Sequence, residues 1–171
     1  MHAAALASRR PCGPILSGLK FKVTLRPAVA ADFEACRRTY FAETDWINER
    51  LQLKRHDQES MFQKLWNPAQ VCIIQADGAD VGWLQTVTNK SDEFLGQIFV
   101  EARFQKNGIG TEVLSRVIEE ASRRRLPLRL AVVKFNPSRR LYERLGFRVT
   151  HEDDRKVYMT RDPDPPSGTA T

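Results

Sequence analysis

The passage from residue 95 to residue 111 constrains the fold more than any other. An apolar stretch, residues 95–100, passes through a polar loop into Gly108-Ile109-Gly110-Thr111, where the longest regular helical pattern of the chain begins. Val113, Leu114, Val117, Ile118 and Ala121 recur on one face of that helix, and Glu112, Ser115, Arg116, Glu119 and Glu120 occupy the other. Glu119 with Arg123 and Glu120 with Arg124 have the i,i+4 spacing of favourable ion pairs. Pro127 ends the helical pattern and residues 128–133 are again apolar. Strand, long helix and strand in that order predict a parallel pair in one sheet.

The entrance of this helix also predicts a ligand. The first N–H groups of a helix have no internal partner, and the helix dipole adds positive potential there. Gly108 and Gly110 carry no Cβ, so an anion can approach the backbone closely, as phosphates do at such entrances. Gln105, Lys106 and Asn107 add side-chain donors, one of them charged. A nucleotide P-loop is excluded, because no Lys follows the second glycine; the three-glycine dinucleotide fingerprint is excluded as well.

Around this unit the chain alternates strands and helices. Residues 21–25 alternate apolar and polar as a strand does. Phe33, Cys36, Tyr40 and Phe41 mark one helix, and Met61, Phe62, Leu65 and Trp66 mark the buried stripe of a second, placed between Ile47 and Trp66. Asp77-Gly78 predicts a tight hairpin turn between strands at 71–74 and 81–88. Asn136-Pro137 opens a short helix that Gly146 ends, and residues 147–150 and 157–160 form a last hairpin. The order β-α-α-β-β-β-α-β-α-β-β predicts an α/β (α+β) fold: a mostly antiparallel mixed sheet of six to seven strands with helices on its faces.

With 171 residues the chain suits one domain, expected over residues 21–161, after a leader (1–20) and before a polar tail (162–171) without structure of their own. Half of the net charge of +6 lies in the leader, as Arg9, Arg10 and Lys20, so the body is too weakly basic to point to nucleic acid. Cys12, Cys36 and Cys72 are widely spaced, with no metal-ligand pattern; reduced thiols and a cytoplasmic location are expected, with no metal. No apolar run has the length of a membrane span.

Two motifs, in this order and at this spacing, carry a resemblance. Gln105-Lys106-Asn107-Gly108-Ile109-Gly110 matches the [Q/R]-x-x-G-x-[G/A] loop of the GNAT superfamily of N-acetyltransferases, and Leu141-Tyr142-Glu143-Arg144-Leu145-Gly146-Phe147 resembles that family's following helix. Thr24-Leu25-Arg26-Pro27-Ala28 is similar to its first strand. The resemblance covers about residues 21–160. It implies two central parallel strands that splay apart and hold acetyl-coenzyme A between them. By resemblance, backbone groups of Ile98, Phe99 and Val100 pair with the pantetheine arm. Residues Gln105, Lys106, Asn107, Gly108, Ile109, Gly110 and Thr111 hold the pyrophosphate. Asn136, Ser138, Arg139 and Tyr142 form the other wall. Tyr142 matches the proton donor to the leaving thiolate, and a backbone N–H at or near Val100 faces the oxyanion.

The resemblance further implies an enzyme that acetylates a primary amine, on a small molecule or a peptide, and a dimer through the last hairpin. Many members carry a glutamate base where this chain has Phe94; Glu93, one residue earlier, is the remaining candidate and faces the other side unless a bulge intervenes. Gln97 is suited to hold a relay water. Trp46, Glu49 and His56 fall in the segment that forms the acceptor lip. The alternative is a non-catalytic acetyl-CoA-binding module of the same fold.

Overall fold

The computed structural model describes residues 20–165. The expected leader apart from Lys20, together with Cys12, lies outside the described residues, as do residues 166–171. The elements are β1 (Val23–Pro27), α1 (Phe33–Arg50), α2 (Arg55–Leu65), β2 (Val71–Ala76), β3 (Ala79–Thr88), β4 (Glu93–Val100), α3 (Ile109–Arg123), β5 (Leu128–Val133), α4 (Arg139–Arg144), β6 (Arg148–Glu152) and β7 (Lys156–Arg161). The strands form one sheet in the order β1-β2-β3-β4-β5-β7-β6, antiparallel except for β4 and β5. The predicted class and the single parallel pair are both present.

Helices cover both faces. Ile109, Val113, Leu114, Val117 and Ile118 of α3 and Tyr142 of α4 pack on Val23, Leu84, Leu95, Leu128, Leu130 and Met159. On the opposite face, Cys36 of α1 and Phe62 of α2 pack on Val71, Ile73 and Trp83. Each fully buried aliphatic or aromatic side chain contributes roughly 1.5–3 kcal/mol of transfer free energy, so these two layers hold the sheet in place. Cys36 is buried in the second layer, and burial pushes its thiol up to about 11. Arg26 clamps one edge: it bonds both carboxylate oxygens of Asp32 at 2.9 Å and Asp80 at 2.6 Å, tying β1 to the start of β3.

The structure revises several sequence expectations. The first helix continues through Ile47 to Arg50, because no Gly or Pro interrupts it; it stops where Gln52 takes a left-handed φ of 54°. In α2 only Phe62 is buried; Met61 and Leu65 are exposed, since a short helix crossing the rim of the layer buries a narrow stripe. Arg124 pairs with Glu93 rather than Glu120, and Arg123 takes Glu120. Asp77 and Gly78 have the positive φ values (50° and 84°) predicted for their turn. At the start of the expected tail, Asp162 is paired with Arg148 and Asp164 with Arg161, so those residues are tied to the domain. All five residues of β6 are exposed, and its pairing with β7 shifts register around Thr150. A bulge on an edge strand opposes pairing with a second chain, and the expected dimer would have to form across it.

At Gly82 two strands of the sheet fit closely. A Cβ there would lie 2.1 Å from the backbone oxygen of Phe99 on β4. Gly82→Ala is therefore expected to force β3 from β4 and cost about 1–3 kcal/mol, read as a lower urea midpoint at unchanged m-value.

Candidate active site

The site is built by a failure of pairing. β4 and β5 meet at three positions only, Glu93 with Leu128, Phe94 with Arg129 and Leu95 with Leu130. Beyond these, β5 continues against β7 to Val133, while residues 97–100 of β4 stay with β3. The cause lies at Gly96. The β3–β4 register passes from Gln85–Gln97 to Thr86–Leu95, leaving Gly96 as the extra residue of a β-bulge. A bulge bends its strand, and this one sits immediately after the last residue paired to β5. The result is a V-shaped gap between the C-terminal halves of two parallel strands. Ile98, Phe99 and Val100 line one side of it.

The bulge also sets which side chains face which way. Trp83, Gln85 and Val87 of β3 lie on one face, and their partners Phe99, Gln97 and Phe94 share it. This is the face of α1 and α2: Trp83 bonds the backbone oxygen of Cys36, and Gln85 that of Leu65. Glu93 and Leu95 point the other way, toward α3. Glu93 is buried, accepts from Arg124 at 3.0 Å and from Thr88 at 2.7 Å, and stands at the closed end of the gap. The bulge comes only after Leu95, so Glu93 stays on the face opposite Phe94. The expected base is instead half of a buried ion pair that pins the end of α3 to the start of β4.

The mouth of the V is the turn before α3. Lys106 and Gly108 both adopt left-handed φ (61° and 79°), which rotates the chain into the helix; Gly108 is the N-cap and offers no side-chain cap. The first bond of the helix is Glu112 N–H to Gly108 O, at 3.0 Å. Among the described residues, no protein acceptor meets the backbone N–H groups of Lys106, Asn107, Gly108, Ile109, Gly110 or Thr111. A Cβ built on Gly110 meets nothing within 4 Å. Free nitrogens beside open space at a helix entrance fit a diphosphate group.

Two expected side-chain donors are already used. Asn107 Nδ2 bonds the backbone oxygens of Phe104 and Gln105, which fixes the turn. Gln105 Nε2 donates at 2.8 Å to the Val100 carbonyl and at 2.8 Å to Glu43 of α1. The turn is therefore open at its backbone nitrogens and at Lys106, with Gln105 and Asn107 holding its shape. Glu43 had no signal in the sequence, since it lies 62 residues before Gln105.

Across the gap, Asn136 Oδ1 accepts from Ser138 N–H at 2.9 Å and caps the turn into α4, one turn ahead of the regular helix. Arg139 pairs with Glu143 at 2.8 Å and is held along the helix surface; Arg140 is exposed, with no ion pair among the described residues. Tyr142 is buried edge-on to Phe147, at 5.8 Å between ring centroids. Burial pushes its hydroxyl up to about 12, so the phenol keeps its proton through neutral and mildly alkaline pH. That hydroxyl makes no hydrogen bond among the described residues, yet it is not sealed from open space.

His56 is an exposed residue in the first turn of α2. No three His, Cys, Asp or Glu side chains cluster as metal ligands among the described residues, and no described helix is long and apolar enough to cross a membrane.

Known proteins resemble this chain in sequence and in fold. A mycothiol acetyltransferase of Acidimicrobium ferrooxidans is 31% identical over 121 residues, covering 67% of this chain and 37% of its own length. The chain thus spans little more than a third of that curated relative. Among solved structures, the PaiA N-acetyltransferase of Thermoplasma acidophilum, in complex with coenzyme A, superposes with a TM-score of 0.65 at 15% identity, over 82% of this chain and 99% of that one. The ribosomal-protein-S18-alanine N-acetyltransferase of Escherichia coli does so with a TM-score of 0.61 at 17% identity, over 87% and 99%. At such identities these two establish the fold alone. The family model of the acetyltransferase (GNAT) domain matches residues 35–159, which take in the V-shaped gap, the phosphate turn and Tyr142, and the chain belongs to that family.

Proposed function

We propose that this chain transfers the acetyl group of acetyl-coenzyme A to a primary amine of a small molecule or a peptide, by direct attack on the thioester. The observation that carries the reading is the set of unpartnered backbone nitrogens from Lys106 to Thr111, at the mouth of a gap lined by a strand edge. Acetyl-coenzyme A supplies an activated acyl group on a thiol leaving group.

The chain's own residues do the rest. The Lys106–Thr111 nitrogens and the α3 dipole bind the diphosphate. The backbone of Ile98 orients the pantetheine arm. Phe99, expected to share that role, is the hydrogen-bonded partner of Trp83 and its backbone groups are committed to β3, and the Val100 carbonyl is engaged by Gln105. A backbone N–H at or near Val100 faces the charge that develops on the acyl oxygen. Tyr142 delivers its proton to the leaving sulfur. Asn136 and Ser138 shape the opposite wall. An aliphatic amine near pKa 10 must lose a proton before it attacks. Glu93 is occupied by Arg124, so proton removal falls to water held on the α1/α2 face, where Gln97 points. A non-catalytic sensor would use the same gap but has no need of an unbonded phenol facing it.

Three variants test this reading. Gly110→Asp places a carboxylate where the phosphates would sit. An acid in the first turn favours the helix by about 0.3–1 kcal/mol, so the thermal midpoint should hold or rise while calorimetry shows coenzyme A binding weakened by roughly a hundredfold, about 2.7 kcal/mol. Normal affinity in this variant would remove the diphosphate site.

Tyr142→Phe should lower kcat by roughly 10²–10⁴-fold with coenzyme A affinity unchanged. Since the Tyr142 pKa is raised to about 12, the acid form is complete below that value and is lost only as pH climbs through it. The wild-type rate should therefore show no alkaline loss due to Tyr142 between about pH 6 and 10. A Phe variant within a factor of about two of wild type excludes the role. Glu93→Gln should cost about 1–3 kcal/mol of stability through the Arg124 contact and leave the pH–rate profile in place; a profile that loses its acidic limb would restore Glu93 as base.

A further inference from the structure

Helix α1 crosses the open end of the V. On the β4 side, Tyr40 packs edge-on to Phe99 at 5.5 Å, and Glu43 bonds Gln105. On the β5 side, Trp46 meets Phe135 at 5.8 Å, and Phe135 lies in the connection from β5 to α4. Arg50, seven residues and about 10 Å of helix beyond Glu43, sets its guanidinium 4.2 Å from the centre of the same Phe135 ring. The Trp46 ring is fixed by its own Nε1 bond to the Glu43 backbone oxygen at 3.0 Å, and 43% of Trp46 remains exposed.

Several nearby cations have carboxylate partners. Arg55 bonds Asp45 and Glu59, Arg37 bonds Glu34 and Glu59, and Lys134 bonds Glu152. Arg50 is exposed and has no acid among the described residues. A cation at the C-terminus of a helix is favourable in itself, which accounts for a basic residue at position 50. It does not account for a guanidinium laid over a ring from the far lip of the gap with its N–H edge free. That edge is a planar fork matched to a carboxylate, and the aromatic face beneath limits its freedom before any ligand arrives.

We propose that Arg50 reads a carboxylate on the acceptor, and that the acceptor class is an amine that also carries a carboxylate, an amino acid rather than a simple amine. This rests on the acetyl-transfer reading above. Arg50 acts on specificity and takes no part in the bond changes.

The test uses matched acceptors, methionine with methioninamide and phenylalanine with phenylalaninamide. Thiol release from acetyl-coenzyme A is followed for wild type, Arg50→Gln and Arg50→Lys. Wild type should favour each acid over its amide by about tenfold or more in kcat/KM, a difference set by one charge-assisted contact. Arg50→Gln should bring the ratio to about one through KM for the acid, with the amide rate and the coenzyme A heat unchanged; Arg50→Lys should fall between, as a point charge without the fork. A purely structural role would lower acid and amide alike. The proposal is overturned by a wild-type ratio at or below one, by a ratio that survives in Arg50→Gln, or by a coenzyme A-binding protein that turns over neither acid. Absence of coenzyme A binding overturns the acetyl-transfer reading itself, and this proposal with it.

Discussion

The parting of β4 from β5 after Leu95 is the constraint on which the site depends. Two parallel strands normally satisfy each other's backbone along their whole length. Here one extra residue, Gly96, bends β4 away, and the strand edge that loses its neighbour becomes a row of hydrogen-bonding groups facing a gap. The rest of the molecule keeps that gap open without letting the sheet fall apart. The three pairs at its vertex and the Glu93–Arg124 contact beside them hold the closed end; at the open end the close fit of Gly82 against Phe99 keeps β4 on β3, and β7 keeps β5 straight.

Electrostatics follows from this geometry more than from net charge. The positive element of the site is a helix entrance whose nitrogens the protein leaves unused, and the two side chains nearest to it, Gln105 and Asn107, spend their donors on the backbone around them. Arg123 and Arg124 at the end of α3 are ion-paired, as is Arg139 of α4. The large desolvation at Tyr142 acts in one direction only, toward a phenol that keeps its proton, which is the state an acid requires.

Most of the architecture was legible in the sequence because it is periodic. The stripe Val113-Leu114-Val117-Ile118-Ala121, the Asp77-Gly78 turn and the glycine pair at the entrance of α3 are local patterns with local causes, and the strands fell within a few residues of their predicted bounds. What sequence did not reveal was non-local. The bulge at Gly96 exists only relative to β3 and carries no signal beyond the glycine itself. The Arg124–Glu93 pair overrode an equally good i,i+4 partner because a buried carboxylate needs a cation more than a half-buried one does. The end of α1 is not marked in the sequence, because its second half is polar on most sides and shows little periodicity. That half is the part that crosses the gap, so the acceptor side of the site was the least visible from sequence.

The amide of Gln105 touches both sides of that divide. One nitrogen bridges the end of a sheet strand and a carboxylate on the helix above it. A shift of the turn below or of the helix above therefore acts on a shared fastening. The two halves of the pocket are in this sense a single balance, with Gln105 as its beam.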